Sequence, residues 1–417
     1  MIANLLVDRH PLYRVMEFYE NRDLDLLFGK GKVYLSGLND LHYGRLLDRL
    51  FDANPKHVFQ TVSASAIMTH QIKLDRVHAD TTSQSVYGDY DDESDALDIT
   101  FGYSKDKRPD LKQFIYGLMV AEGVPVMGNL RDGNTSDKEW NQDTIKEMSA
   151  VLAPHIAKGL LYVADSAVVT SKNLALLKEN KIKFVTRLPS TYKLAAKLKE
   201  DALVAGDWIE IGKISERQKK DDAVYRAKVL TAELDGNSYR FAVIHSTSLA
   251  RTKEKTSNRK IAKEAVELTK ECDALNKRTF ACGPDAQTVL DLFLKEHDSS
   301  YHQLNGTVTP IEIIKPRKGR GRPPKDYVPE TEVVWKITVS VGDVKSDKLN
   351  DDLRQDELFI LMTNELDTEK LPDANIIRVY KDQMTVENRF RWLKNPLVIK
   401  GIYIKTPERV LSLVTCF

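Results

Sequence analysis

The chain has 417 residues, 42% of them hydrophobic and 29% charged, which excludes a disordered chain and predicts two domains or one core with a large insertion. No apolar run approaches the roughly 18 residues of a membrane span. The start, MIANLLVDRHPLYR, lacks the layout of a secretory signal, and three cysteines (Cys272, Cys282, Cys416) are too few for a disulfide framework, so a reducing cytoplasm and no membrane partner are expected. The net charge of +1 hides a segregation. Lys315, Arg317, Lys318, Arg320, Arg322 and Lys325 follow one another without an acid, while acids crowd between Asp89 and Asp95.

Residues 1–70 read as a helical region, with the leucines of NDLHYGRLLDRLF spaced for one buried face. Gln71 to Asp80 reads as a strand ending at Asp80, with His78 and Asp80 on one face. Leu97, Ile99, Phe101 and Tyr103 alternate as a second strand, and Phe114 to Val120 is a third. That third run turns at Ala121-Glu122-Gly123 and resumes from Val124 to Met127. Ser136-x-x-Glu139 has capping-box spacing and starts a helix, with Asp137 suited to its first turn. Gly159 to Ala164 is a continuous apolar run ending at Asp165, as expected of a central strand. Ser171 to Lys181 reads as a helix and Lys183 to Arg187 as another strand.

From residue 206 to 370 the texture changes to strand-like segments around a charged helix, in which Ile261, Ala265, Leu268, Cys272 and Leu275 form one stripe. Cys272 is thereby a core residue, and Cys272, Cys282, His297 and His302 lack zinc-ligand spacing. Residues 371–417 return to helix, from Arg378 to Lys394 and again from about Pro407. The last helix runs LSLVTCF to the end without a cap and reads as cut short. The expected divisions are therefore 1–70, 71–205, 206–370 and 371–417.

Asp80 and Asp165 end two predicted strands, so neighbouring strands would bring their carboxylates together. Hard oxygen ligands of this kind suit a divalent metal pair for in-line phosphoryl displacement. On the C-terminal helix Tyr380, Gln383, Glu387, Arg391 and Lys394 share a face, with Phe390, Trp392 and Leu393 turned elsewhere. Glu387 is the coherent third ligand, with Arg391 and Lys394 for DNA phosphates. Lys105 and Arg108, in the charged stretch Ser104 to Asp110 between two predicted strands, are candidate phosphate contacts, against a plain exposed hairpin. His78 could tune Asp80, against a half-buried strand histidine. KPRKGRGRPPK (315–325) resembles an AT-hook, in which Arg320 and Arg322 would enter a narrow minor groove, against phosphate contact or a solvated linker.

The segments VHADTTSQSVYG (77–88), GYSKDKRPDLKQ (102–113), RDGNTSD (131–137) and YVADSAVVTSKNL (162–174), with the terminal helix, resemble an insertion-sequence DDE transposase of the IS4-related group, close to its IS1634 branch. Tyr380, Glu387 and Lys394 keep the spacing of that family's terminal signature, with Gln383 where the family has arginine. The resemblance implies an α/β, RNase H-like mixed sheet flanked by helices and interrupted by a large β-rich insertion before the C-terminal catalytic helix. It implies Asp80, Asp165 and Glu387 as ligands of two Mg²⁺ or Mn²⁺ ions. Transposon-end and target DNA would be the partners, with a homodimer in the synaptic complex of a nucleoid-associated cytoplasmic protein. Water would nick the transposon end, and the freed 3′-hydroxyl would attack another strand, with a hairpin possible by resemblance alone. The ends of the chain read as shortened for that family, which sets beside the active enzyme an inactive DNA-binding remnant. A cellular RNase H-like nuclease is the third reading.

Overall fold

The computed structural model describes residues 4, 7, 10–91, 94–215, 219, 221–315, 328–382, 390 and 404–416. It divides into two compact units, Met1–Ile209 with Ala227–Ile244 and Ile360–Phe417, and Glu210–Arg226 with His245–Phe359.

The first unit is built on strands β1 (Arg76–Ser85), β2 (Gln113–Ala121), β3 (Val124–Arg131), β4 (Leu161–Val163) and β5 (Lys183–Arg187), side by side in the order β3-β2-β1-β4-β5. The β1-β2-β3 meander is antiparallel, while β1-β4 and β4-β5 are parallel. Three antiparallel strands continued by parallel helix-linked ones make the mixed sheet of an RNase H-like fold. The sheet goes on through Leu358–Thr363, antiparallel to β5. The turn joining β2 to β3 falls at Glu122 and Gly123, whose φ angles of 47° and 80° suit the twist of a tight hairpin.

The two faces of β1-β2 are covered by different chains. On one side Gly117 lies against Trp140 of helix Asp137–Val151, whose indole Nε1 donates to Asn129 Oδ1 at 2.7 Å. Ser136 and Glu139 form the expected capping box. On the other side Phe114, Tyr116, Leu118 and Val120 form a core with Phe390, Val410 and Val414. Helix Pro407–Thr415 thus has its apolar residues covered, and Arg409 clamps Asp48 of helix Asp40–Asp52 with two bonds of 2.6 and 2.8 Å.

Three sequence expectations need correction. β1 does not end at Asp80 but starts at Arg76 and runs on to Ser85, because Thr81, Thr82 and Ser83 are buried inside the sheet despite their hydroxyls. Leu97 to Tyr103 is not a strand: Leu97 and Ile99 are buried, Phe101 and Tyr103 are exposed, and only Thr100 bridges to Gln113. The charged stretch at Ser104 therefore has no strand before it. In helix Asp40–Asp52 the buried face holds Tyr43 and Leu47, leaving Leu41 and Leu46 exposed.

The second unit combines helices Thr247–Asn276, Gly283–Glu296 and Ser346–Asp356 with the long hairpin His302–Ile314 and Thr331–Val344. Leu268, Cys272 and Leu275 of the expected stripe are buried, with Cys272 and Leu275 in the unit's core, while Ile261 and Ala265 are half-buried. The hairpin's first strand has no counterpart in the sequence reading, since Gly306, Thr307, Thr309 and Pro310 dilute its alternation.

Candidate active site

His78 of β1 pairs with Val163 of β4 in parallel register. Asp80 and Asp165 each stand two residues further on, one full pleat period beyond that paired position. Asp165 keeps extended backbone (φ −71°, ψ 179°) and caps the short turn Ser166–Val168, its Oδ1 accepting from Ala167 N–H at 3.0 Å. Thr186 of β5 holds the Asp165 carbonyl at 2.7 Å. Asp80 Oδ1 accepts from Thr81 N–H at 2.8 Å.

Both carboxyls are strained electrostatically. Burial pushes Asp80 up to about 6, and the charges of Asp165 and Asp137 add to the rise, against the pull of Lys105 and the Thr81 N–H. Burial and then Asp137 raise Asp165 as well. Tyr162, buried and donating to Asn141 Oδ1 at 2.9 Å, is raised by burial and by the two aspartates. His78 is buried with Nδ1 unpartnered, and burial followed by Arg76 depresses it to about 4, so it is a neutral core histidine.

The residue that sequence reasoning undervalued is Asp137. It occupies the first turn of its helix, as expected, but its carboxylate also accepts from Thr81 Oγ1 and from Lys105 Nζ at 3.2 Å. Lys105 Nζ donates further to Thr81 O at 2.9 Å and Thr81 Oγ1 at 2.7 Å. Lys105 is thus turned inward beside the aspartates. No sequence signal joins Lys105 to Asp137, because the two, 32 residues apart, meet only once the chain is folded around Thr81 of β1. Arg108 is exposed and pairs with Asp110 at 2.8 and 2.7 Å.

Glu387, Gln383, Arg391 and Lys394 lie outside the described residues, as do Arg320 and Arg322. The chain on either side of Glu387 is described, however. Helix Asp373–Lys381, which carries the half-buried Tyr380, enters on the buried Arg240, which donates to Leu371 O at 3.0 Å and to Asp373. Asp382 then bonds Arg76 at 3.0 Å. Phe390 packs edge-on against Tyr116, ring centroids 6.1 Å apart, and Tyr116 is the β2 partner of Thr82. Arg76, Thr82 and Asp80 share one face of β1, so both anchors lie on the face of Asp80 and bracket it.

Compared with known families, residues 102–414 match the transposase DDE domain. The chain belongs to the DDE transposase family. Residues 1–64 of this transposase match a domain of unknown function (DUF4277). No curated protein matches the chain. The DDE match takes in Asp165 and Glu387 and begins after Asp80. Transposases of this family act on DNA and use divalent metal ions. Among the described residues, no group of three His, Cys, Asp or Glu side chains could hold a metal ion, and no helix is long and apolar enough to cross a membrane. The donor chemistry of Asp80 and Asp165 nevertheless fits a hard divalent cation: two half-buried carboxylates, raised by desolvation and neighbouring acids.

Proposed function

We propose that the transposase cuts and joins DNA at the ends of an IS4-related, IS1634-like insertion sequence, with Asp80, Asp165 and Glu387 holding two Mg²⁺ or Mn²⁺ ions. The observation that carries this reading is the shared offset of Asp80 and Asp165 from the His78–Val163 pair. The anchoring of Asp382 and Phe390 on the Asp80 face supports Glu387 as the third ligand, since it stands between them in the chain.

Divalent ions bound there supply a Lewis acid for the scissile phosphate and a more acidic water. The chain's own residues do the rest. Deprotonated above about pH 6, Asp80 offers a hard oxygen, while its other contact, the Thr81 N–H, fixes the carboxylate's direction. Lys105 and Asp137 hold Thr81 by its hydroxyl, and so orient the same peptide. Thr186 fixes the backbone of Asp165. In this reading Arg108, Tyr380, Gln383, Arg391 and Lys394 face DNA together with Arg320 and Arg322, and Lys105 does so only after leaving Asp137. The working form is a homodimer bridging two ends.

The test is strand cleavage of DNA carrying the element's own ends, with and without Mg²⁺ or Mn²⁺. Asp80→Asn, Asp165→Asn and Glu387→Gln should each lower cleavage by on the order of a hundredfold or more while end-binding persists, because each removes charge stabilisation but keeps shape. A Glu387→Gln variant that cleaves normally would remove that residue from the site. End-binding by the parent chain without cleavage under any metal would mark it as an inactive DNA-binding remnant.

A further inference from the structure

Helix Thr247–Asn276 is 30 residues long, yet its buried residues (Leu268, Cys272 and Leu275) all lie in its second half. Its charge divides at the same place. Residues 247–263 hold Arg251, Lys253, Lys255, Arg259, Lys260 and Lys263 against Glu254, whereas residues 264–276 hold four acids against Lys270. Lys253 is half-buried and pairs with Asp356 at 3.3 Å, which marks the side of the helix seated on its own unit. At 3.6 residues per turn, Arg251, Lys255 and Arg259 lie about 160°, 200° and 240° round from Lys253. They therefore occupy the opposite side. All three are exposed and form no ion pair among the described residues, and Lys263 continues the row with a 3.5 Å contact to Glu267.

Such a row works against the helix that carries it. Arg251–Lys255, Lys255–Arg259 and Arg259–Lys263 are like-charged i,i+4 neighbours, which repel. The first turn has no acid, so the order of charge also opposes the helix dipole. Among the described residues, Glu267 offsets only Lys263, and no ion pair relieves Arg251, Lys255 or Arg259, so a polyanion outside the fold is their natural complement. The row is about 18 Å long, which spans about five phosphates of one strand at their axial spacing.

We infer that Arg251, Lys255 and Arg259 bind the phosphate backbone of duplex DNA without reading its sequence. The choice of duplex DNA as the polyanion rests on the proposed strand-cutting function. The experiment uses the full chain and a random-sequence duplex without divalent metal, following binding by anisotropy across a salt series. The triple variant Arg251→Gln, Lys255→Gln, Arg259→Gln should lower the log–log salt slope by about 2.7, at about 0.9 per phosphate contact. Arg251→Lys, Lys255→Arg, Arg259→Lys should keep the slope, and Lys270→Gln, on the acidic half, should leave it unchanged. An unaltered slope in the triple glutamine variant, with unchanged circular dichroism, overturns the inference. If the parent chain binds duplex steeply and loses that slope in the triple variant yet never cuts its own ends, the strand-cutting reading falls and this one stands. If it cuts while the triple variant keeps its slope, only this inference falls.

Discussion

At the level of single residues, Asp80 is a carboxylate that the fold would hold more cheaply as a neutral group. Its pKa of about 6 lies above the ordinary carboxylate value of 3.8, so the native state binds the extra proton between those values. Stability must then fall as pH rises from about 4 to about 6, and stays low above that. Asp80→Asn should accordingly stabilise the metal-free protein at pH 7, by on the order of 1–3 kcal/mol, and be nearly neutral at pH 4. Urea denaturation at the two pH values checks this; an equal effect at both would mean that the titration at position 80 does not govern stability. Lys105 supplies the opposing pull on both Asp80 and Asp165. Lys105→Met should shift the rising limb of the cleavage–pH profile upward, and Lys105→Arg should restore it. Both aspartates stand out in the sequence as candidate ligands because they adjoin β-like runs, but the link from Lys105 through Thr81 to Asp137 does not. It joins residues 56 positions apart in the case of Thr81 and Asp137, through a strand whose ends the sequence placed too early.

Among the elements, those with a local cause were legible. The capping box at Ser136, the Glu122-Gly123 turn, the apolar β4 run and the short KFVTR strand β5 each carry their own signal within a few residues. β1 was cut short in the reading because Thr81, Thr82 and Ser83 look like a polar exit from a strand. In the sheet they are buried, paired in register with Gly117, Tyr116 and Ile115 of β2. Leu97 to Tyr103 failed for the opposite reason: alternation persists, yet only Leu97 and Ile99 meet the core. The helix Asp137–Val151 that presents Asp137 is set on the sheet by Trp140 over Gly117. A Cβ at 117 would fall 2.0 Å from the indole nitrogen, so Gly117→Ala must push the helix off the sheet. It should cost about 1–3 kcal/mol, the usual penalty for overpacking. Gly128→Ala on the adjacent β3 meets nothing closer than 3.4 Å and is expected to be neutral or to stabilise by about 0.4–1 kcal/mol through the unfolded chain. Urea midpoints that move alike for the two variants would refute the helix-seating argument.

For the whole molecule, the site sets function against stability. On the proposed reading, two half-buried carboxylates with Asp137 beside them weaken the metal-free fold, and bound cations would relieve them. The ligation state of the site should therefore be visible in the stability of the first unit, without any DNA or turnover. At a free ion concentration a hundredfold above Kd, a single bound ion adds about 2.7 kcal/mol to the native state. At pH 7 without divalent metal, calorimetry should show Asp80→Asn melting above the parent chain. Added Mn²⁺ or Mg²⁺ should raise the parent Tm and leave the variant where it was, so that the gap between them closes or reverses. Lowering the pH below about 6 should weaken the metal response of the parent chain, because the proton on Asp80 then competes with the ion. A metal-induced rise of equal size in both proteins would place the responding ion elsewhere in the chain, and Asp80 would lose its assignment as a ligand.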